Sequence, residues 1–215
     1  MITSVRDPHL GANTYVCATS VPGAALVVDP GLDGEAVLAE LDRRGLTARW
    51  VLLTHGHFDH IGSAHELREA HGALVHLHRA DARVARSANF LLMACRIDRR
   101  ITVPEIDVLV DDGARVAIGD DEATFLHTPG HTPGSCCIAW RDVLFSGDTV
   151  YRGHVGADGF PGEDPERLRA SVRGLWDRVD DATRVLPGHG GSAPWGRIKA
   201  DNAALRAFLA EAEAA

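Results

Sequence analysis

Apolar and polar positions fall into two periods along the chain. Ala24–Val28 is a short apolar run stopped by Asp29-Pro30-Gly31, a turn signal. Residues 35–44 put Val37, Leu38 and Leu41 on one face, with Gly45 where a helix C′ residue belongs. Residues 50–53 read as a buried strand that runs straight into Thr54-His55-Gly56-His57-Phe58-Asp59-His60. Helical spacing returns over 61–70, with Ile61, Ala64 and Leu67 inward, and 73–78 reads as a strand. Residues 24–78 thus alternate β-α-β-α-β, which favours helices packed on a sheet.

Residues 79–95 read as one or two helices and 97–109 as a loop. Short strands follow at 115–118, 123–127, 136–140 and 143–145, each bounded by Gly, Pro or Asp. Residues 165–179 predict an amphipathic helix with Leu168, Val172, Leu175, Trp176 and Val179 on one stripe. Residues 184–186 read as a strand ending in Pro187-Gly188-His189-Gly190, and 197–209 as a closing helix. The Ala/Glu stretch 210–215 is expected to fray. No repeat and no linker composition divide the chain, so one domain over 1–215 is expected.

Composition narrows the chemistry. The chain has 215 residues and a formal net charge of −8, which argues against a basic nucleic-acid footprint. No apolar run reaches membrane-spanning length and no signal-like start is present, so no membrane partner is expected. Cys17, Cys95, Cys136 and Cys137 include no C-x-x-C pair, and a reducing cytoplasmic location is the simplest expectation. On a strand, Cys136 and Cys137 would point to opposite faces. Lys199 is the single lysine and is followed by Ala200, which excludes a Walker A loop and makes an amine nucleophile a poor reading. The 12 histidines are the feature to follow.

Polar residues gather just after the apolar strands. His55, His57, Asp59 and His60 follow the first such strand. His131 lies in Thr128-Pro129-Gly130-His131-Thr132-Pro133-Gly134, Asp148 in Ser146-Gly147-Asp148-Thr149, and His189 after 184–186. Each lies beside Gly or Pro or in a run containing one, as a tight loop requires. Imidazole and carboxylate are ligands of Zn²⁺, Mn²⁺ and Fe²⁺. Seven such groups exceed the need of one four-coordinate ion and suit two ions with a shared carboxylate. Two metals about 3.5–4 Å apart can hold a bridging hydroxide and polarise a substrate oxygen. His9, His65, His71, His76, His78 and His127 read as structural. His76 and His78 alternate on a strand like a chelate pair, yet without a third ligand they are expected to face solvent. Tyr151 and His154, in a glycine-containing loop after Asp148, are candidate substrate contacts, although for each an ordinary loop residue is the competing reading. Arg96, Arg99 and Arg100 follow the apolar stretch 90–93 and read as a solvated surface, with recognition of an anionic substrate as the alternative.

H-x-H-x-D-H after a strand, then a lone His, a lone Asp and a lone His, resembles the metallo-β-lactamase superfamily over about residues 13–202. Asn13-Thr14-Tyr15, Val28-Asp29-Pro30-Gly31, and the runs 127–135, 145–149 and 186–190 are similar to its glyoxalase II-like (hydroxyacylglutathione hydrolase-like) branch. The resemblance implies an α/β fold, an αββα four-layer sandwich with metals at the edge between two mixed sheets. It implies that His55, His57 and His131 bind one metal and that Asp59, His60 and His189 bind the other. Asp148 would bridge, with Asp59 and Asp148 as the catalytic carboxylates. The cofactors implied are two divalent ions, most simply zinc, with iron or manganese as alternatives.

The implied activity is hydrolysis of an acyl thioester, from a small molecule or a carrier, by the bridging hydroxide. Two departures separate this chain from glutathione-specific members. It ends with a single helix after His189, and Gly156-Ala157-Asp158-Gly159 stands where the branch reads Gly-Arg-Thr-Asp. These departures weigh against glutathione thioesters and leave a different thiol or a carrier-bound acyl group as the readings that fit. The alternatives are a mononuclear iron persulfide dioxygenase, or a hydrolase of lactones or other esters. The Gly188-His189-Gly190 ending resembles the hydrolases more closely than the dioxygenases.

Overall fold

The computed structural model describes residues 1–157 and 159–211. The first sheet is built in chain order. It contains β1 (Ile2–Arg6), β2 (Asn13–Ala18), β3 (Ala24–Val28), β4 (Thr47–Leu52), β5 (Leu74–His78) and β6 (Val108–Val110). Its first two pairings are antiparallel and the other three parallel. The second sheet holds β7 (Arg115–Ile118), β8 (Asp121–His127), β9 (Cys136–Trp140), β10 (Val143–Gly147), β11 (Arg184–Pro187) and β12 (Ala193–Pro194). Here only β10 and β11 run parallel.

Side-chain alternation sorts the apolar residues into three layers. Val16, Ala25, Val27 and Val51 point outward from the first sheet. They pack against α1 (Gly34–Arg43) and α3 (Ala64–His71) through Val37, Leu41 and Leu67. Tyr15, Leu26, Val28 and Leu52 point the other way and meet Phe125, Ile138, Trp140 and Phe145 of the second sheet. On that sheet's far side, Leu144 and Val185 pack against α6 (Pro165–Trp176), α7 (Trp195–Asp201) and α8 (Ala203–Ala210). The layers run helix, sheet, sheet, helix, as the expected αββα sandwich requires. Cys136 belongs to the layer between the sheets and Cys137 to the outer one, so the adjacent cysteines do face opposite ways. No helix among the described residues is long and apolar enough to cross a membrane.

Several boundaries differ from the sequence reading. The helix expected over 61–70 is two: α2 (Phe58–Ile61) and α3. A Cβ at Gly62 would lie 2.8 Å from Leu32 Cδ2, and Ser63 N–H donates to Pro30 O at 3.1 Å, so the chain turns to follow the 30–32 segment. The helix expected over 197–209 breaks at Asn202, whose side chain caps α8 by accepting from Leu205 N–H at 2.9 Å. The 79–95 region forms a 3₁₀ turn at Arg79–Asp81, then α4 (Ala82–Arg86) and α5 (Ala88–Ala94). β6 lies at the end of the stretch read as loop; three residues are too short for a periodic signal. Of the tail expected to fray, residues 212–215 lie outside the described residues. Gly45 stands in the left-handed region at φ 62°, at the expected C′ position of α1.

His76 and His78 do not face solvent. Both are buried, with His78 stacked on His127 at 4.1 Å and His76 Nδ1 3.0 Å from Leu74 O. The face they share is turned toward the second sheet, where His127 of β8 stacks on His78.

Candidate metal centre

The four loops that carry the seven residues sit at strand ends and are tied to one another by buried hydrogen bonds. Asp29, in the turn after β3, accepts from Thr54 N–H and Thr54 Oγ1–H, both at 2.7 Å. Its Oδ2 also lies 3.1 Å from His60 Nδ1. A proton held there leaves His60 Nε2 free to face Asp59 and Asp148. Asp81 is a second hub. It accepts from Gly56 N–H at 2.7 Å, Thr132 Oγ1–H at 2.7 Å and Gly134 N–H at 2.6 Å, joining the 54–60 loop to the 128–134 loop. Asn13 Nδ2 donates to Pro187 O and Gly190 O, and Tyr15 OH donates to Pro187 O, so β2 positions the His189 loop of the other sheet. Glu163 Oε1 lies 3.1 Å from His131 Nδ1 and orients that ring.

These supports turn the seven residues into two facing donor sets. In the first, His57 Nδ1 lies 3.2 Å from His55 Nε2 and 3.0 Å from His131 Nε2. In the second, His189 Nε2 lies 3.3 Å from Asp59 Oδ2 and 3.5 Å from Asp148 Oδ2. His60 Nε2 lies 3.7 Å and 3.5 Å from the same two oxygens. Asp148 Oδ2 also lies 3.6 Å from His131 Nε2, so one carboxylate oxygen borders both sets. Ligands 2.0–2.1 Å from a tetrahedral ion stand about 3.3–3.4 Å apart, close to these separations. His60 Nε2 and Asp148 Oδ1 are buried without a hydrogen-bond partner. Buried polar atoms are ordinarily partnered, so the donor set, its spacing and its orphaned atoms all fit divalent cations.

The charge pattern differs ring by ring: burial lowers His131, but its hydrogen bond to Glu163 and the nearby Asp148 outweigh it and raise that ring above its ordinary value. Burial, with the imidazoles of His60 and His57 beside it, pushes His55 well below the ordinary histidine value. Burial and His131 bring His57 down to about 4. These rings are neutral at pH 7, as ligands must be. Burial also works against protonated His60, but Asp148 and Asp59 outweigh it and hold the ring well above its usual value. Burial lowers His189 too, yet hydrogen bonds to Asp148 and Asp59 carry it up to about 9. Asp148 is held well below the carboxylate range because His60 and His189 overcome the cost of burial.

A cavity of about 570 Å³ opens on this cluster. Phe58, Phe160, Leu10 and Ile97 supply apolar wall. Tyr151 and His154, expected as substrate contacts, both line it, with rings stacked at 6.1 Å and 7°. Asn202 Nδ2 donates to the carbonyls of Tyr151 and His154, so the break between α7 and α8 fixes this wall. Asp29, Asp81 and Glu163 were not singled out as functional from sequence. For Asp29 the turn signal was visible but not its partners. Asp81 and Glu163 carry no local motif.

The model of the metallo-beta-lactamase superfamily matches residues 8–189. A hydroxyacylglutathione hydrolase of Anaeromyxobacter dehalogenans is 36% identical over 209 residues, covering 95% of this chain and 74% of the relative. The crystal structure of BLEG-1 B3 metallo-beta-lactamase superposes with a TM-score of 0.86 at 32% identity, covering 95% of this chain and 99% of that one. TTHA1623 in a di-iron-bound form gives 0.84 at 34% identity, covering 94% and 98%. The family match, the two-sheet architecture and the paired histidine and aspartate donor sets agree: this chain belongs to the metallo-beta-lactamase superfamily.

Proposed function

We propose that the protein is a dinuclear metal-dependent hydrolase acting on acyl thioesters. The observation that carries the reading is the place of Asp148 Oδ2, within 3.5–3.6 Å of ring nitrogens from both donor sets and at the floor of the cavity. His55, His57 and His131 would hold one ion, Asp59, His60 and His189 the other, and Asp148 both. Zinc fits the nitrogen-rich set, and iron or manganese are compatible with it. Such ions would supply an activated water at neutral pH and polarise a carbonyl oxygen.

The chain's own residues would do the rest. The Asp59 carboxylate, in the cavity wall, would take the proton of the attacking water through the oxygen that does not face His60 and His189. Tyr151 and His154 form the wall beside His189 and would orient the substrate. Phe58, Phe160, Leu10 and Ile97 exclude water and accept an apolar acyl group. The cavity lining includes no Arg or Lys among the described residues, which weighs against a small anionic thiol such as glutathione bound within it. All four cysteines are free, consistent with a reducing cytoplasm.

Two measurements together test this. Metal analysis should find two divalent ions per chain, and S-acyl-pantetheine should be hydrolysed without oxygen uptake in the presence of glutathione persulfide. One iron per chain with persulfide-dependent oxygen uptake would replace the hydrolase by an oxidoreductase. Two metals with turnover only of lactones or phosphodiesters would keep the centre and remove the substrate class.

Gly188→Ala probes the same centre by adding one methyl group. A Cβ at this position would stand 2.1 Å from Asp148 Oδ1 and 2.6 Å from His60 Cε1. We expect metal affinity to fall by at least about tenfold, the scale of disturbed support around a metal, with the metal-free protein also destabilised because both contacted side chains are buried. Full metal occupancy in the variant under chelator competition would contradict the geometry.

A further inference from the structure

The chain carries 30 Asp and Glu against 22 Lys and Arg, but one stretch reverses that balance. Within residues 79–100 the chain carries Arg79, Arg83, Arg86, Arg96, Arg99 and Arg100 against Asp81 and Asp98, in a protein of net charge −8. Asp81 is buried and spent on backbone and hydroxyl donors. Arg79 pairs with Asp111. The other five arginines are exposed, and none forms an ion pair among the described residues. Arg83 and Arg86 stand three apart on α4 and so are neighbours on its surface.

The same stretch exposes apolar side chains. Phe90 and Met93, three apart on α5, are 64% and 65% exposed. Two large apolar side chains one helical turn apart, in a stretch that carries five exposed arginines, mark an interaction surface rather than a scattered exposure. The face also adjoins the cavity. Cys95 and Ile97, immediately after α5, line it. On the α4 side, a Cβ at Gly56 of the histidine loop would lie 2.9 Å from Ala85 N, so α4 rests directly on that loop.

We propose that the α4–α5 face docks an acidic carrier protein that presents its thioester-linked acyl group to the cavity. Docking stands on the face itself; the delivery of a thioester rests on the function proposed above. Charge complementarity selects the partner: an acidic helical carrier meets five unpaired guanidinium groups, while its apolar contacts cover Phe90 and Met93. A second copy of this chain is disfavoured, because a two-fold contact would set arginines against arginines. The face extends from α4 to residue 100, broader than a small thiol headgroup would cover. It would also account for thioester substrates despite a cavity lining without cationic side chains.

The test reads binding separately from turnover. The full-length, metal-loaded protein is titrated with a fluorescently labelled bacterial acyl carrier protein in its apo form, which has no thiol and cannot be turned over. Anisotropy should report saturable binding that weakens at least about tenfold between 50 and 300 mM NaCl, as expected of an exposed charged contact. Arg83→Glu combined with Arg86→Glu should weaken it about tenfold or more, and Phe90→Ser combined with Met93→Ser should also weaken it. Metal content and hydrolysis of S-acyl-pantetheine should stay unchanged in both variants. Loss of discrimination between carrier-bound and pantetheine-bound acyl groups should follow in each. Absence of binding, or binding untouched by charge reversal, overturns the proposal. Equal or tighter binding of an oligouridylate or of anionic lipid vesicles at the same face overturns it in favour of those partners. Carrier binding without any thioester turnover would retain the docking face and remove the thioester function instead.

Discussion

Asp148→Ala should lose both metals together and at least about 100-fold in kcat/KM, more than removal of an outer supporting residue costs a metal site. The expectation follows from one atom. Asp148 Oδ2 lies 3.6 Å from His131 Nε2 in the first donor set, and 3.5 Å from His60 Nε2 and His189 Nε2 in the second. A ligand confined to one set would, when removed, weaken one ion and spare its neighbour. A shared ligand weakens both. Deletion also removes one of the two carboxylates that raise the proton affinity of His60 and His189, leaving five imidazoles with Asp59 alone. Mass-spectrometric metal content and competitive chelator titration, run beside turnover, check the result. His189→Ala is the comparison: it should weaken one equivalent far more than the other. An Asp148→Ala protein that keeps both metals and wild-type turnover would remove the bridging role. Loss of one equivalent alone would reassign Asp148 to a single set.

The donor residues themselves were legible because each sits in a short run next to a strand end. His55, His57, Asp59 and His60 are spaced within six residues, and His131, Asp148 and His189 each stand in a loop marked by glycine. The resemblance of order and context then implied a fold that the two sheets bear out. What was not legible depends on which chain segments meet in space. His76 and His78 alternate on a strand, and alternation alone cannot say whether their face is covered. It is covered, because the second sheet packs over it and brings His127 onto His78, a contact between segments about fifty residues apart. β1 and β2 escaped for another reason. β1 is an edge strand with no buried residue, β2 is buried almost throughout, and neither shows a clean apolar alternation, while Asn13-Thr14-Tyr15 read only as a motif. The hydrogen bonds from Asn13 and Tyr15 to the 187–190 loop explain what that motif does here: it fixes His189 from the opposite sheet. Asn202 is similar, a break in an expected helix that proves to hold the Tyr151 and His154 carbonyls.

Asp81→Ala should produce the second large effect, and an asymmetric one. The carboxylate is fully buried, and burial raises its pKa while Thr132, Gly56 and Gly134 pull it back by donating to it. Two of those donors are backbone N–H groups, one in each of the loops that carry the first donor set. A Cβ at Gly134 would lie 2.8 Å from Asp81 Cγ, so the loop is moulded around this side chain. Alanine would strand Gly56 N–H and Gly134 N–H, whereas Thr132 keeps Ser135 Oγ at 2.7 Å. An unsatisfied buried donor costs about 1–3 kcal/mol. Two therefore cost roughly 2–6 kcal/mol, a large part of the 5–15 kcal/mol typical of a folded domain. Urea denaturation of the metal-free protein would read that loss. The metal readout separates positioning from bulk stability. His57 and His131 would lose the carboxylate that joins their loops, while His60 and His189 keep Asp29, Asn13 and Tyr15 as supports. The first-set ion should weaken by about 10–100-fold and the second much less. Asp81→Asn, which retains one acceptor oxygen at the same place, should recover part of both losses. A uniform fall in both affinities that tracks the loss of folding free energy would make Asp81 a structural residue only. Selective release of one ion at a temperature where the variant is still folded would show that the carboxylate sets the distance between two metal-binding loops.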